Sequence, residues 1–176
     1  MLTLLQIDSC RIGFKSTGRI MEGIAQVATK SGWEYTQFNL RTIRYTDADI
    51  EALANDPNVI DLSFTLEDKF GDNGLIAVVI MKPIDKETLF VDTWFMSCRV
   101  LKRGMENFTL NTMVEKAKAA GYKKIVGEYL PTPKNKMVEN HYTGLGFSKI
   151  EGAETAQFEL NVDEYKTKVC YIEKHN

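Results

Sequence analysis

The stretch from Leu89 to Leu130 constrains the fold more than any other. LFVDTWFMSC (Leu89 to Cys98) is apolar and aromatic enough to be a buried strand. A short basic loop follows, and then Met105, Phe108, Leu110, Met113, Val114 and Ala117 recur at helical spacing between Gly104 and Ala120. Gly121 stops that helix, and Lys124 to Leu130 reads as a second strand. A strand, a helix and a strand in this order make a crossover between parallel neighbours of one sheet.

The segments on either side extend the sheet. Val59 to Leu66 and Leu75 to Met81 read as strands, and Gly71-Asp72-Asn73-Gly74 between them is the expected turn of a hairpin. Pro83 to Glu87 turns the chain into the Leu89 strand. Upstream, Thr46-Asp47-Ala48-Asp49 resembles a capping box and opens a short helix. Ile50, Leu53 and Ala54 are its apolar face, and Asp56-Pro57 ends it. Before it, Leu2 to Ile7 reads as a strand and Cys10 to Gly18 as a loop. A helix starts near Gly18, with Ile20, Ile24, Val27 and Ala28 inward and Gly32 as its stop. Downstream, Pro131-Thr132-Pro133 breaks the chain, and Lys136 to Thr143 is a short helix ending at Gly144. Phe147 to Ile150, Ala156 to Asn161 and Lys168 to Ile172 are further strand candidates. The order is β-α-α-β-β-β-α-β-α-β-β, with room for one more strand at the end. It predicts an α/β fold: one mixed sheet with helices on both faces. No repeat or linker divides residues 1–176, so a single domain is expected.

Composition excludes several classes of function. With 44% hydrophobic residues the chain can build its own core. A formal charge of −2 excludes a duplex-nucleic-acid binder working by overall charge. The longest apolar run, Leu75 to Met81, is about a third of a membrane span. Met1 to Asp8 lacks a basic leader, so no secretion signal is expected. Cys10, Cys98 and Cys170 make no ligand spacing, and an odd thiol count fits a reducing cytoplasm. The histidines are His141 and His175, so a His-based metal site or a Ser-His-Asp triad would have to rest on His141 alone. No metal, nucleic acid or membrane partner is expected.

The loop before the long helix carries the main chemical signal. The first turn of a helix presents N–H groups without intrahelical acceptors, with the positive end of the helix dipole behind them. Arg99, Lys102 and Arg103 surround Gly104, making a candidate anion site. The plainer alternative is that a glycine and a few lysines precede many helices.

These features resemble the GCN5-related N-acetyltransferase (GNAT) fold over essentially the whole chain. In that family the loop Q/R-x-x-G-x-G/A grips the coenzyme A pyrophosphate. Here it reads Leu101-Lys102-Arg103-Gly104-Met105-Glu106. The central Gly104 matches; Leu101 and Glu106 depart from the pattern. Asn135, Tyr142 and Leu145-Gly146-Phe147 resemble the later N-x6-Y-x3-GF motif, whose Tyr often protonates the departing thiolate. Thr36 to Ile50, Asp68 to Ile80, Trp94 to Asn107 and Glu128 to Tyr142 look, more narrowly, like the C-terminal half of a two-part family. Those proteins join a haloacid-dehalogenase-like (HAD) domain to a GNAT-like one. They load a glyceryl unit onto an acyl carrier protein for methoxymalonyl-type polyketide extenders. The D-x-D-x-T nucleophile motif of the HAD half is absent, since Asp47-Ala48-Asp49 runs into Ile50 and Glu51 at a helix start.

The resemblance implies a set of roles. The donor is an acyl-CoA, or phosphopantetheine on an acyl carrier protein. Cys98 and Val100 at the strand end, Lys102, Arg103, Gly104, Met105 and Glu106 in the loop, and Asn135 are the expected cofactor contacts. Tyr142 is the candidate acid, and Asp92 or Glu128 the candidate base. The expected reaction is acyl transfer to an amine or hydroxyl. The alternative is a non-catalytic module that holds a carrier protein or its arm for a separate HAD-type protein. Glu106 bears on the choice. Pointed at the loop, it fills the niche of a phosphate; pointed outward, it leaves the N–H cradle open. Aromatics from Trp33 to Phe38 and Tyr45 either line an acceptor pocket or plug the sheet, and Cys98 could be a nucleophile but reads more simply as a small buried core thiol.

Overall fold

The computed structural model describes residues 9–13, 38–43 and 45–175. The strand expected at Leu2 to Ile7 and the helix expected from Gly18 lie outside these residues. The described strands are β1 (Ser9–Gly13), β2 (Ile60–Asp68), β3 (Gly71–Pro83), β4 (Thr88–Met96), β5 (Lys124–Tyr129), β6 (Ser148–Lys149), β7 (Ala156–Asn161) and β8 (Glu173–His175). The helices are α1 (Asp47–Asn55), α2 (Met105–Ala119) and the single turn α3 (His141–Gly144). All eight strands join one mixed sheet in the order β6-β7-β5-β4-β3-β2-β1-β8. β1 to β4 run antiparallel in succession, and β4 pairs parallel with β5, as the crossover requires.

Helices cover both faces. α2 buries Met105, Phe108, Leu110 and Met113 with Leu62, Val79, Met81 and Val91. On the other face, Ile50 of α1 packs with Val78, Ile80 and Phe95. Thr46 caps α1 as the sequence predicts, exchanging hydrogen bonds with Asp49 in both directions. One irregularity prepares the site. Val91 lies opposite Met81 and Thr93 opposite Ile80, so Asp92 has no counterpart on β3. This bulge sets Asp92 beside Thr93 on the α1 face.

Five expectations are corrected. Cys10 to Gly18 is not a loop throughout, because Ser9–Gly13 pairs with both β2 and β8. The β2–β3 turn falls at Lys69-Phe70, fixed by the Phe70 N–H donating to Asp68 Oδ1 at 2.9 Å. Gly71 to Gly74 therefore begins β3, and the register shifts between Phe64 and Glu67 absorb the irregular stretch. The helix expected over Lys136 to Thr143 is a 3₁₀ turn, Lys136–Val138, and then α3. The strand expected at Phe147 to Ile150 shrinks to Ser148–Lys149. Lys168 to Ile172 is an extended strap. Its backbone bonds go to side chains of α2, with Lys168 O and Val169 O accepting from Asn111 and Asn107.

Candidate functional site

β4 and β5 are paired only from Thr88–Lys124 to Val91–Gly127, although β4 continues to Met96 and β5 to Tyr129. Beyond Val91 the strands fork. Hydrogen-bonding groups on both inner edges are then left for another occupant.

In this chain residues 38–40 take that place. Asn39 forms an antiparallel bridge with Phe95. Phe38 O accepts from Met96 N at 3.2 Å on one arm of the fork, and Leu40 O accepts from Leu130 N at 2.9 Å on the other. Phe38 and Leu40 are buried at 2% and 1% exposure, each burial contributing about 1.5–3 kcal/mol. Asn135, fully buried, ties the insert down. Its Nδ2 donates to Asn39 O and Leu130 O at 2.9 Å, and its Oδ1 accepts from Thr132 N at 2.7 Å. The Asn135 side chain is thus committed to the chain's own backbone.

On the α1 face of the fork Asp92 and Glu128 meet around one cation that sequence reasoning missed. Arg41 Nε donates to Glu128 Oε2 at 2.7 Å, and its NH1 donates to Asp92 Oδ1 at 3.2 Å and Asp92 O at 3.0 Å. Its guanidinium lies 4.7 Å from the centroid of the Phe90 ring. Lys82 Nζ holds Asp92 Oδ1 at 3.0 Å, the Tyr45 hydroxyl donates to Asp92 Oδ2, and Thr155 donates to Glu128 Oε1. Burial alone would raise the Glu128 pKa, but hydrogen bonds from Thr155 and Arg41 outweigh it and hold the carboxyl below its usual range. Burial and the Asp92 carboxylate push the Tyr45 phenol well above its usual value. Two carboxylates on buried strands require a positive charge nearby. That requirement was the available signal for Arg41 and for Lys82 at the end of an apolar strand.

Tyr142 lies on the α2 face. Its ring covers Gly127 so closely that a Cβ there would overlap it, which is why β5 carries glycine at this point. Phe158 stacks on it at 5.4 Å. Burial raises its pKa far above that of a free phenol, so the group stays protonated; Arg41 and the Glu128 amide offset this only slightly. That amide faces the hydroxyl without a hydrogen bond of normal geometry. Trp94 Nε1 and His141 Nε2 are likewise buried and have no hydrogen-bond partner among the described residues. The three rings touch edge to face, with His141 between Trp94 at 4.5 Å and Phe38 at 4.7 Å. Burial pushes the His141 pKa down to about 3, so the imidazole is neutral.

The loop before α2 is partly filled by its own side chains. Gly104 caps the helix at φ 88°, a conformation that favours glycine, and contributes no side-chain bond. Glu106 points at the loop: its Oε1 accepts from Lys102 N at 2.7 Å, with Lys102 at φ 59°. Arg103 pairs with Asp68 at 3.2 Å. Val100 and Met105 are fully buried and offer only their backbone. Cys98 opens a 3₁₀ turn and is part-exposed, not a core thiol. A diphosphate therefore finds the N–H groups of the first helical turn, but a carboxylate already on Lys102.

No protein-family model and no curated protein sequence matches the chain. Solved structures do resemble it. The GNAT domain of S. lividans PAT has a TM-score of 0.63 at 15% identity, over 85% of this chain and 89% of that one. The ribosomal-protein-S18-alanine N-acetyltransferase from Escherichia coli gives 0.59 at 10%, over 91% and 98%. The aminoglycoside acetyltransferase AAC(6')-Ib, solved with coenzyme A, gives 0.59 at 15%, over 87% and 95%. The fold is the GNAT fold, an α/β sheet flanked by helices. Among the described residues no group of His, Cys, Asp and Glu side chains is placed to hold a metal ion, and no helix is long and apolar enough to cross a membrane.

Proposed function

We propose that the chain is a cytoplasmic acyltransferase that moves an acyl group from a pantetheine thioester to an amine or hydroxyl. The β4–β5 fork carries the reading: carboxylates stand on one face of it, and a buried, protonated phenol on the other. The acceptor attacks the thioester carbonyl from the carboxylate side, and the carbon–sulfur bond breaks. Tyr142 gives its proton to the departing thiolate. The proton lost by the acceptor passes to Asp92 or Glu128 once Arg41 has released that carboxylate.

The Glu106–Lys102 contact favours a donor arm carried by an acyl carrier protein over free coenzyme A, since a carrier-borne arm presents one phosphodiester instead of a diphosphate. This agrees with the resemblance to proteins of methoxymalonyl-type extender synthesis. The same contact also favours a second reading, in which the chain only holds the carrier for a separate HAD-type protein. Melting curves with millimolar coenzyme A and with a pantetheine-loaded carrier protein separate the cases. A ligand at 100 times its Kd raises stability by about 2.7 kcal/mol. A shift with either donor, together with thioester turnover, supports catalysis. A shift with the carrier and no turnover establishes the module, and no shift with either donor overturns both readings.

A further inference from the structure

One short segment fills both halves of the fork. The backbone of Phe38–Leu40 bonds to the inner edges of β4 and β5, and Arg41, the next residue, places its guanidinium between Asp92 and Glu128. We propose that residues 38–41 are a built-in occupant of the site, and that the true acceptor bears a guanidinium or primary ammonium group that takes the place of Arg41. The inference rests on the acyl-transfer reading of the fork.

Charge balance and shape set the chemistry of the acceptor. Asp92 and Glu128 are each 7% exposed and carry two negative charges against Arg41 and Lys82. With Arg41 withdrawn and Lys82 still on Asp92, one negative charge, that of Glu128, stays buried without a counter-ion, which is costly. The segment can therefore leave only when one organic cation replaces it. The site already displays what such a cation needs: a carboxylate on each side, the Asp92 carbonyl, and the Phe90 face 4.7 Å away. An independent observation points to a ligand on the other face. Trp94 Nε1, His141 Nε2 and Tyr142 OH are buried without partners among the described residues, and the Phe38 ring lies against His141. Withdrawal of Phe38 opens that face to the acyl end of a donor, whose carbonyl and sulfur would partner these groups. Cation binding and donor binding are thus coupled through one element, the cation favouring the donor.

The test is chemical rescue. Arg41→Ala should melt below the parent protein. Millimolar methylguanidinium or ethylammonium should restore the Tm saturably, while tetramethylammonium at equal ionic strength should not, and the parent should need a much higher cation concentration to respond, because the cation must first displace Arg41. Pantetheine should bind Arg41→Ala at least tenfold more tightly than the parent. If a folded Arg41→Ala shows no saturable rescue by either cation, the proposal is overturned even where pantetheine binds. If the cations rescue but pantetheine binds neither protein, the cation site stands and the acyl-donor reading falls. Should Arg41→Ala not fold, amide hydrogen exchange of the parent decides. With agmatine as the cationic probe, the Met96 and Leu130 amides should exchange at least tenfold faster, and an unchanged rate overturns the proposal.

Discussion

The Tyr142 hydroxyl is buried at a point where the described residues give it no hydrogen bond, a placement that costs about 1–3 kcal/mol. Such a group is retained for chemistry or by accident, and the two cases predict different variants. Tyr142→Phe keeps the ring that Phe158, Phe147 and Trp94 pack against. Urea unfolding should show stability unchanged or raised by about 1 kcal/mol, since only an unsatisfied hydroxyl is lost. Thioester turnover should fall by roughly 10²–10⁴, the usual worth of a positioned acid. A loss of more than about 1.5 kcal/mol with turnover retained would make the hydroxyl structural. Gly127 is the complementary position. Gly127→Ala drives a methyl into the Tyr142 ring and should cost roughly 1–3 kcal/mol, read as a lower midpoint in the same unfolding experiment.

At the scale of elements, the start of α2 concentrates the question of the donor. Glu106 sits in the first turn, where an acid gains about 0.3–1 kcal/mol from the helix dipole, and its carboxylate also satisfies Lys102 N. Glu106→Gly removes both contributions and should lower stability by about 1–2 kcal/mol, counting the cost of glycine in a helix. It also frees an N–H group for a phosphate. Coenzyme A should then raise the Tm of the variant more than that of the parent; an equal or smaller increment would mean that Glu106 does not occupy a phosphate position. The helix and both strands around this loop were legible in the sequence, because α2, β4 and β5 follow their own periodicity. Gly104 and Tyr142 were legible as motif positions. The Lys69-Phe70 turn was not, because Gly71 to Gly74 carries a stronger local signal and only the pairing register of β2 with β3 overrides it. Nor was the insert at Phe38–Leu40. Its hydrogen bonds run to Met96 and Leu130, more than fifty residues away, and its alternation is too short to read as a strand. Arg41 was hidden for the same reason: its partners lie 51 and 87 residues along the chain.

Across the whole molecule, two groups near the fork tie its integrity to pH in separate windows. His141 is wedged among Phe38, Trp94 and Tyr142, and its pKa falls to about 3 against about 6.5 when unfolded. Between those values the unfolded chain binds the extra proton, so stability rises with pH and is lost as pH falls from about 6.5 toward 3. Glu128 works in the same direction but lower. Its folded pKa is depressed by Thr155 and Arg41, so its contribution is present above the unfolded value of about 4.3 and is lost only below that. Asp49, Asp68 and Asp85, lowered mainly by backbone N–H groups, also titrate only in the acid range. The interval from pH 6.5 to 5 therefore belongs to His141. Its slope grows from about 0.7 kcal/mol per pH unit at pH 6.5, where the unfolded imidazole is half protonated, toward about 1.4 near pH 5, so urea unfolding at pH 5 should show about 1.6 kcal/mol less stability than at pH 6.5. His141→Phe keeps an aromatic ring among the same neighbours and cannot take up a proton. Its stability should be nearly level across that interval, with the acid loss confined to pH below about 4.5, where the carboxylates protonate. A His141→Phe protein that kept the parent's slope between pH 6.5 and 5 would remove the imidazole as its source.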